Sequence, residues 1–392
     1  MKTCLVSLVS DQTIPNILVA AHFKADYLLF ISTAKMEKKN KTQTILATLA
    51  LRHLDYSARH NKLEVSEDSI IDFQNKVSQW LSRTQEEYQF IVNLTGGNKL
   101  MSLAVYDFFK ELGSDMVYVP IPENRYLSPF PKLRPKPSGL LEDRLTVVEY
   151  LTACSLKIPR ISDLETVKEN AFHRKDLTQF LFSHYREVKS LLRWFCDKLR
   201  SVKENQIKRG YDFSESFAVE NKYQKKLIDG LGFQYDGSQL SKKMYKSEWH
   251  YLRGGWLEER LFLAIRDSLP QSADVQIGVE FEDISGNKNE VDVLFTHENI
   301  LHLVECKSLD SPEGSEDRIG VNDFLYKLGV LRQNFGLTPK AFFASTSENL
   351  YKEGNVKRSL TERAKQQGSE IIPLLQTPDL EEYFRKRFAG NK

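Results

Sequence analysis

Asn289-Glu290-Val291-Asp292-Val293-Leu294-Phe295-Thr296 and Leu301-His302-Leu303-Val304-Glu305-Cys306-Lys307 are two β-prone runs separated by the polar stretch His297-Glu298-Asn299-Ile300. This is the pattern of a hairpin. With a loop at residues 297–300, Thr296 pairs with Leu301, and each step outward keeps the sum of the two residue numbers constant. Asp292 then falls opposite Glu305, with β-carbons about 5 Å apart on one face. Alternation puts Lys307 on that face and turns the Cys306 side chain away. Val291, Val293, Leu294, Leu303 and Val304 mark both strands as buried, where a charge needs a reason. Two facing carboxylates repel, and a divalent cation is the natural compensation; hard oxygen ligands suit Mg2+ or Mn2+. The expected metal ligands are therefore Asp292, Glu305 and, through its backbone carbonyl, Cys306. Lys307 is placed to position or deprotonate the attacking water, or to stabilise charge developing on phosphorus. Such a grouping suits phosphodiester hydrolysis.

Around this hairpin the pattern is α/β. A Gly254-Gly255 turn precedes a helix at Trp256–Arg266, then a strand near Val275–Phe281. Downstream come a helix (Asn322–Asn334), a strand (Ala341–Thr346), a helix (Asn355–Gln367) and a strand (Ile371–Leu375). Consecutive strands followed by strand–helix alternation predict a mixed sheet flanked by helices.

The N-terminal part reads as a doubly wound sheet. Apolar runs at Cys4–Val9, Tyr27–Ile31, Phe90–Leu94 and Met116–Ile121, with a weaker one at Leu63–Val65, alternate with helical patterns at Ile14–Phe23, Gln43–His53, Ile70–Leu81 and Lys99–Phe109. Residues 122–140 hold five of the 13 prolines and read as a connector or hairpin leaving the sheet. Residues 161–235 look mostly helical and highly charged, for example Phe180–Trp194. The predicted division is 1–150, a helical segment at 151–245, and 246–392.

Thr95-Gly96-Gly97-Asn98-Lys99 follows an apolar strand and opens a helix. Two glycines allow close approach of a ligand, and a helix N-terminus favours phosphate. The loops after the first two strands, with Ser10, Gln12, Thr13, Ser32 and Thr33, should lie on the same carboxyl edge, where such sheets bind ligands. The first turn lacks GxGxxG, so a nicotinamide dinucleotide is disfavoured, and no Ser or Thr follows Lys99, so this is not a P-loop.

Bulk properties exclude other classes. The 392 residues are 41% apolar with a formal net charge of +2, so nucleic-acid binding would need a local basic groove rather than a basic protein. Cys4, Cys154, Cys196 and Cys306 are far apart, with no CxxC pair. A reduced, cytoplasmic setting is expected, with no membrane partner and no signal peptide, since the first apolar run is broken by Ser10, Asp11 and Gln12.

Two resemblances arise from these residues. Glu290-Val291-Asp292 followed by Glu305-Cys306-Lys307 resembles the PD-(D/E)XK nuclease superfamily, with Val291 where the family name has Pro. Gly254-Gly255-Trp256-Leu257-Glu258-Glu259 is similar to that family's first helix, which supplies a further acid; Glu258, directly after the apolar pair, is favoured over Glu259. The helix at 322–332 would bring Tyr326, Lys327 and Arg332 to the nucleic-acid backbone. Leu8-Val9-Ser10-Asp11-Gln12-Thr13-Ile14-Pro15-Asn16 with Thr95-Gly96-Gly97-Asn98-Lys99 resembles a CARF domain, a sensor of cyclic oligoadenylate in type III CRISPR systems. One CARF domain followed by one PD-(D/E)XK domain is the arrangement of the Card/Can-type ancillary nucleases. That resemblance implies a homodimer that binds one cyclic oligoadenylate, usually cyclic tetra-adenylate, between two sensors. It also implies a nuclease that then cuts DNA or RNA with little sequence preference, using Mn2+ or Mg2+. A two-fold ring read by one sensor per chain does require a two-fold partner. The competing reading is a ligand-responsive regulator that only binds nucleic acid; Asp292, Glu305 and Lys307 argue against it, because a pure binder gains nothing from buried carboxylates that repel phosphate.

Overall fold

The structure is a computed structural model and describes residues 1–130, 138–308, 320–336 and 338–389. Strands β1 (Lys2–Leu8), β2 (Tyr27–Ser32), β3 (His60–Glu64), β4 (Tyr88–Asn93) and β5 (Asp115–Tyr118) alternate with α1 (Ile14–Phe23), α2 (Ala34–Lys38), α3 (Lys41–Leu51), α4 (Ile70–Arg83) and α5 (Lys99–Glu111). They form a parallel sheet in the order β3-β2-β1-β4-β5. The order reverses between β1 and β4, which opens a crevice at their carboxyl ends. The described parts of the proline-containing stretch do not leave the sheet. They include β6 (Arg125–Phe130) and β7 (Gly139–Leu140), which extend the β5 edge antiparallel. Pro129 falls at the register irregularity between β5 and β6, where a residue that cannot donate to a ladder is tolerated. Pro131, Pro135 and Pro137 lie outside the described residues.

The chain continues through α6 (Val147–Ala153), α7 (Ile161–His173), α8 (Lys175–Ser183), α9 (Tyr185–Leu199) and α10 (Glu204–Lys208), then β8 (Tyr211–Ser216), α11 (Lys222–Gly230), β9 (Gln234–Tyr235) and β10 (Gln239–Met244). The helix expected over Phe180–Trp194 is two helices, broken at His184 with φ −118° and ψ 28°. The small antiparallel sheet β8-β10-β9 escaped the sequence because its strands are short and poorly alternating.

In the C-terminal part, α12 (Lys246–His250) runs through one π-helical turn (Tyr251–Gly255) into α13 (Trp256–Ser268). Strands β11 (Asp274–Glu282), β12 (Lys288–His297) and β13 (Ile300–Lys307) precede α14 (Val321–Gln333) and β14 (Lys340–Ser345). A two-stranded ribbon, β15 (Tyr351–Lys352) and β16 (Asn355–Val356), delays the next helix, α15 (Arg358–Gln366), to residue 358; β17 (Ser369–Ile372) and α16 (Leu380–Phe388) close the chain. The sheet order is β11-β12-β13-β14-β17, antiparallel in the first two pairings and parallel in the last two. The turn between β12 and β13 is tighter than expected. His297 pairs with Ile300, leaving only Glu298 and Asn299, both left-handed with φ 51° and 59°. That conformation matches the strands' twist. The register is the predicted one, since Thr296 pairs with Leu301.

One apolar cluster joins Ile17 and Ile45 of the N-terminal part, and Leu151 of α6, to Leu294, Leu303, Leu328 and Phe335, so the N- and C-terminal parts share a core. A second joins Leu191 and Phe195 of α9 to Trp256, Val293, Val304 and Phe384. Polar contacts reinforce the joint. The Asn299 side chain accepts from Leu145 N at 2.9 Å and donates to Asn124 Oδ1 at 2.8 Å, and Arg144 pairs with Glu298 at 2.8 Å. The four cysteines are free, and no helix among the described residues is long and apolar enough to cross a membrane.

Candidate active site

Asp292 stands where the sheet opens. On one side Ile277 pairs with Val293 and Val279 with Val291, but the intervening Gly278 and Asp292 do not pair, and Gly278 is left-handed with φ 62°. On the other side the β12–β13 ladder ends at Val293–Val304. Strict alternation fails at this point. Val293 packs into the second core and Val291 into the first. Such irregularities re-aim side chains and are frequent beside active sites. The Asp292 carboxylate takes the place of the next rung, its Oδ2 accepting a hydrogen bond from Cys306 N at 2.6 Å.

Glu305 is 5% exposed, and its Oε1 pairs with Lys307 Nζ at 3.1 Å. The Lys307 ammonium also sits 5.0 Å from the centre of the Phe324 ring. Burial, then the charges of Glu258 and Glu305, push the Asp292 carboxyl well above the ordinary range, against Lys307 and the Cys306 N–H. Glu290 is raised in the same way, by burial and then by Glu258. Burial works against the charge of Lys307, but Asp292 and Glu305 outweigh it and hold its pKa above the usual lysine value. The Cys306 thiol lies in the second apolar core, so only its backbone reaches the acids.

Glu258 belongs to this group and Glu259 does not. Glu258 raises both Asp292 and Glu290, and its carboxylate accepts from His250 Nε2 at 3.1 Å. Glu259 is buried and turned away, gripped by both Nε (3.1 Å) and Nη2 of Arg174, whose guanidinium covers the Tyr251 ring. The two glycines work by leaving space. A Cβ on Gly254 would lie 2.6 Å from Ser308 Oγ, and one on Gly255 would lie 2.4 Å from His250 Cδ2. They let α13 begin tight against the end of β13, with Glu258 in its first turn.

The donor set fits a divalent ion. Glu258, Glu290, Asp292 and Glu305 outnumber Lys307 and His250, and the crowding that raises Asp292 and Glu290 is what a cation would relieve. Among the described residues no three His, Cys, Asp or Glu side chains are already gathered around one point. Mg2+ does not need three, since one or two carboxylates, substrate oxygens and waters complete its shell. Asp292 and Glu305 provide hard oxygens next to the Cys306 backbone.

Tyr326 and Lys327 are exposed on α14, whereas Arg332 donates to Pro339 O at 3.1 Å and lies beneath Gly368, holding the fold together. His250 and Glu290 were not singled out by the sequence; no spacing motif marks His250, and Glu290 sits beside Asp292 like any strand residue.

In the N-terminal part, the loops after β1, β2 and β4 share the carboxyl edge, and those after β1 and β4 flank the crevice. Several of the ten candidate ligand residues hold these loops in shape. Thr13 is buried and donates to Ala153 O at 2.6 Å; Ser32 is buried and donates to Glu37 at 2.5 Å; Thr33 caps α2. Thr95 Oγ1 accepts from Val119 N, and Asn98 caps α5 through Met101 N, both at 2.9 Å. Gly96 passes so close to β1 that a Cβ would lie 2.1 Å from Leu8 O, and Gly97 is left-handed with φ 75°. Ser10 Oγ donates to Gln12 O at 3.2 Å. Gln12 is half-buried and Lys99 is exposed, with no ion pair to Lys99 among the described residues.

Residues 4–150 match the Card1 CARF domain, and residues 245–390 match the Card1-like endonuclease domain. No curated protein sequence matches the chain. Among solved structures, protein VC1899 from Vibrio cholerae superposes with a TM-score of 0.75 at 17% identity, covering 99% of this chain and 98% of that one. Can2 from Sulfobacillus thermosulfidooxidans, in complex with cyclic tetra-adenylate, superposes at 0.70 and 18% identity, covering 97% and 98%. A type III CRISPR defence DNA nuclease activated by cyclic oligoadenylate reaches 0.51 at 16% identity, covering 88% of this chain and 45% of that one. The chain thus belongs to the Card1-type CARF nucleases, with a CARF domain at its N-terminal end and an endonuclease domain at its C-terminal end.

Proposed function

We propose that this chain is a divalent-metal-dependent nuclease of type III CRISPR defence, acting in the cytoplasm and switched on by a cyclic oligoadenylate. Half-buried Asp292 and buried Glu305 beside Lys307, within an endonuclease domain, carry this reading. Asp292, Glu305 and the Cys306 carbonyl would hold Mn2+ or Mg2+, in the PD-(D/E)XK manner. The ion would supply Lewis acidity at the phosphate and a readily deprotonated water. Lys307, held between Glu305 and Phe324, points a cation at the phosphoryl oxygens, which gain charge in the transition state. Glu258 completes the acidic wall. The substrate is DNA, RNA or both, cut with little sequence preference.

The activator is taken to be cyclic tetra-adenylate, the ring held by Can2. Ser10, Gln12, Thr13, Ser32, Thr33 and the 95–99 loop would shape its site. Exposed Ile71, Leu100 and Leu103 on α4 and α5, next to that loop, support a homodimer closing on a two-fold ring. The test is a cleavage assay on single-stranded DNA, duplex DNA and RNA, in Mn2+ or Mg2+, with and without cyclic tetra-adenylate. Cleavage that needs both metal and ring is expected. No cleavage under any condition would leave a ligand-responsive binding protein instead.

A further inference from the structure

Helix α14 touches both ends of the proposed pathway from sensor to nuclease. Near its start, Phe324 lies under the Lys307 ammonium at 5.0 Å and stacks on Phe343 of β14 (centroids 6.0 Å, planes 19° apart). At its far end the chain reaches the sensor's first loop. A Cβ on Gly336 would lie 2.9 Å from the Gln12 amide, and Cys154 Sγ lies 3.7 Å from Phe335 O. The helical residues between them, 325–333, span about 14 Å, at 1.5 Å per residue.

The acids are anchored differently. The turn of their hairpin is fastened to the sensor by Asn124, Arg144 and Leu145, which ties Asp292 and Glu305 to the sensor's body. The end of α14 meets the ligand-edge loop across a cavity of about 230 Å3, lined by Asp11, Gln12, Lys41, Cys154, Asn334 and Gly336. Incomplete packing at that contact leaves room for the helix end to shift, whereas the hairpin turn is held by hydrogen bonds and an ion pair.

We propose that Phe324 is a positioning residue for Lys307, and that α14, which carries it, takes its setting from the sensor loop at Gln12. This rests on reading Lys307 as catalytic and the sensor edge as the activator site. Movement of the first loop on ligand binding passes along the helix and alters how the ring under Lys307 presents the ammonium. Activation requires that the ligand favour one setting over the other. The lysine is the variable part of the site and the acids are its constant part.

Two measurements test it. Phe324→Tyr keeps an aromatic face beneath Lys307 and Phe324→Leu keeps only apolar bulk. In cyclic tetra-adenylate and Mn2+, kcat of the Leu variant should fall about 2–30-fold with KM and Mn2+ affinity unchanged, and the Tyr variant should match the parent. Equal kcat for Leu and parent, or equal loss in both variants, overturns the positioning role. Hydrogen exchange of the full chain, with and without cyclic tetra-adenylate, should change together in peptides covering 8–16 and 322–336. A change at 8–16 with none at 322–336 overturns the coupling. Full cleavage by Lys307→Ala, or no ligand-induced change at 8–16 or 95–101, would instead remove the function on which the inference rests.

Discussion

Asp292 and Cys306 are joined by a 2.6 Å hydrogen bond from the backbone N–H of one to the carboxylate of the other, at the point where the ladder between their strands ends. A side chain closes the sheet where a backbone carbonyl normally would. The carboxylate is thereby fixed at the edge of the opening, next to the Cys306 backbone and within the field of Glu305 and Lys307. What this site needs, an acid held rigidly with an oxygen to spare, comes from a local failure of β-pairing.

Replacing Glu305 by Ala should lower cleavage by about two orders of magnitude or more, since even groups that only support metal ligands are worth 10–100-fold. Ring binding, measured by calorimetry, should be unchanged because Glu305 lies in the other domain. Retained cleavage removes Glu305 from the site.

The two adjacent acids of α13 should behave differently. Glu258→Gln should reduce cleavage and leave thermal stability nearly intact. Glu259→Gln breaks the buried pair with Arg174 and should cost about 3–5 kcal/mol of stability. Denaturant titrations of both variants decide it; equal stabilities would mean the Arg174 pair is dispensable.

Metal-free stability should depend on pH through Asp292. Its folded pKa is raised, so between the unfolded value near 3.8 and the folded one the native state binds more protons than the unfolded state. Stability therefore falls as pH rises through that window. Asp292→Asn should stabilise the metal-free protein at neutral pH, and Mn2+ should raise the Tm of the parent more at neutral than at acidic pH. A Tm shift independent of pH would contradict this sign.

In the sensor, Gly96→Ala would drive a methyl group into the Leu8 carbonyl, so the 95–99 loop must move off β1 and ring affinity should drop sharply. Lys99→Ala, at an exposed position, should leave Tm within about 0.5 kcal/mol equivalent and weaken ring-dependent activation. An unaltered dose–response for Lys99→Ala takes that lysine out of the sensor.

Much of this was legible in the residue order. Apolar runs alternating with amphipathic ones marked the parallel sheet, and α1 at Ile14–Phe23 was placed residue for residue, because buried strands and helices differ in period and Pro15 marks a helix start. The hairpin register followed from counting outward from the turn. It was insensitive to the error in turn length, since a two-residue and a four-residue loop on the same centre give the same partners. The break at His184, the short β8-β10-β9 sheet and the late start of α15 were not legible; each depends on a few residues whose local preferences are overruled by packing.

By itself, the order of residues determined the two α/β parts, the pairing of the strands that carry Asp292 and Glu305, and the carboxyl edge where Thr95–Lys99 must lie, because strand period and hairpin register are local properties. Only the tertiary structure decided that Glu258 rather than Glu259 faces those acids, that His250 and Glu290 stand among them, and that the ladder opens at Asp292. Those outcomes turn on Gly254 and Gly255 clearing space for Ser308 and His250, and on Arg174 drawing Glu259 away. Contacts between residues far apart in the chain leave no period for a sequence to display.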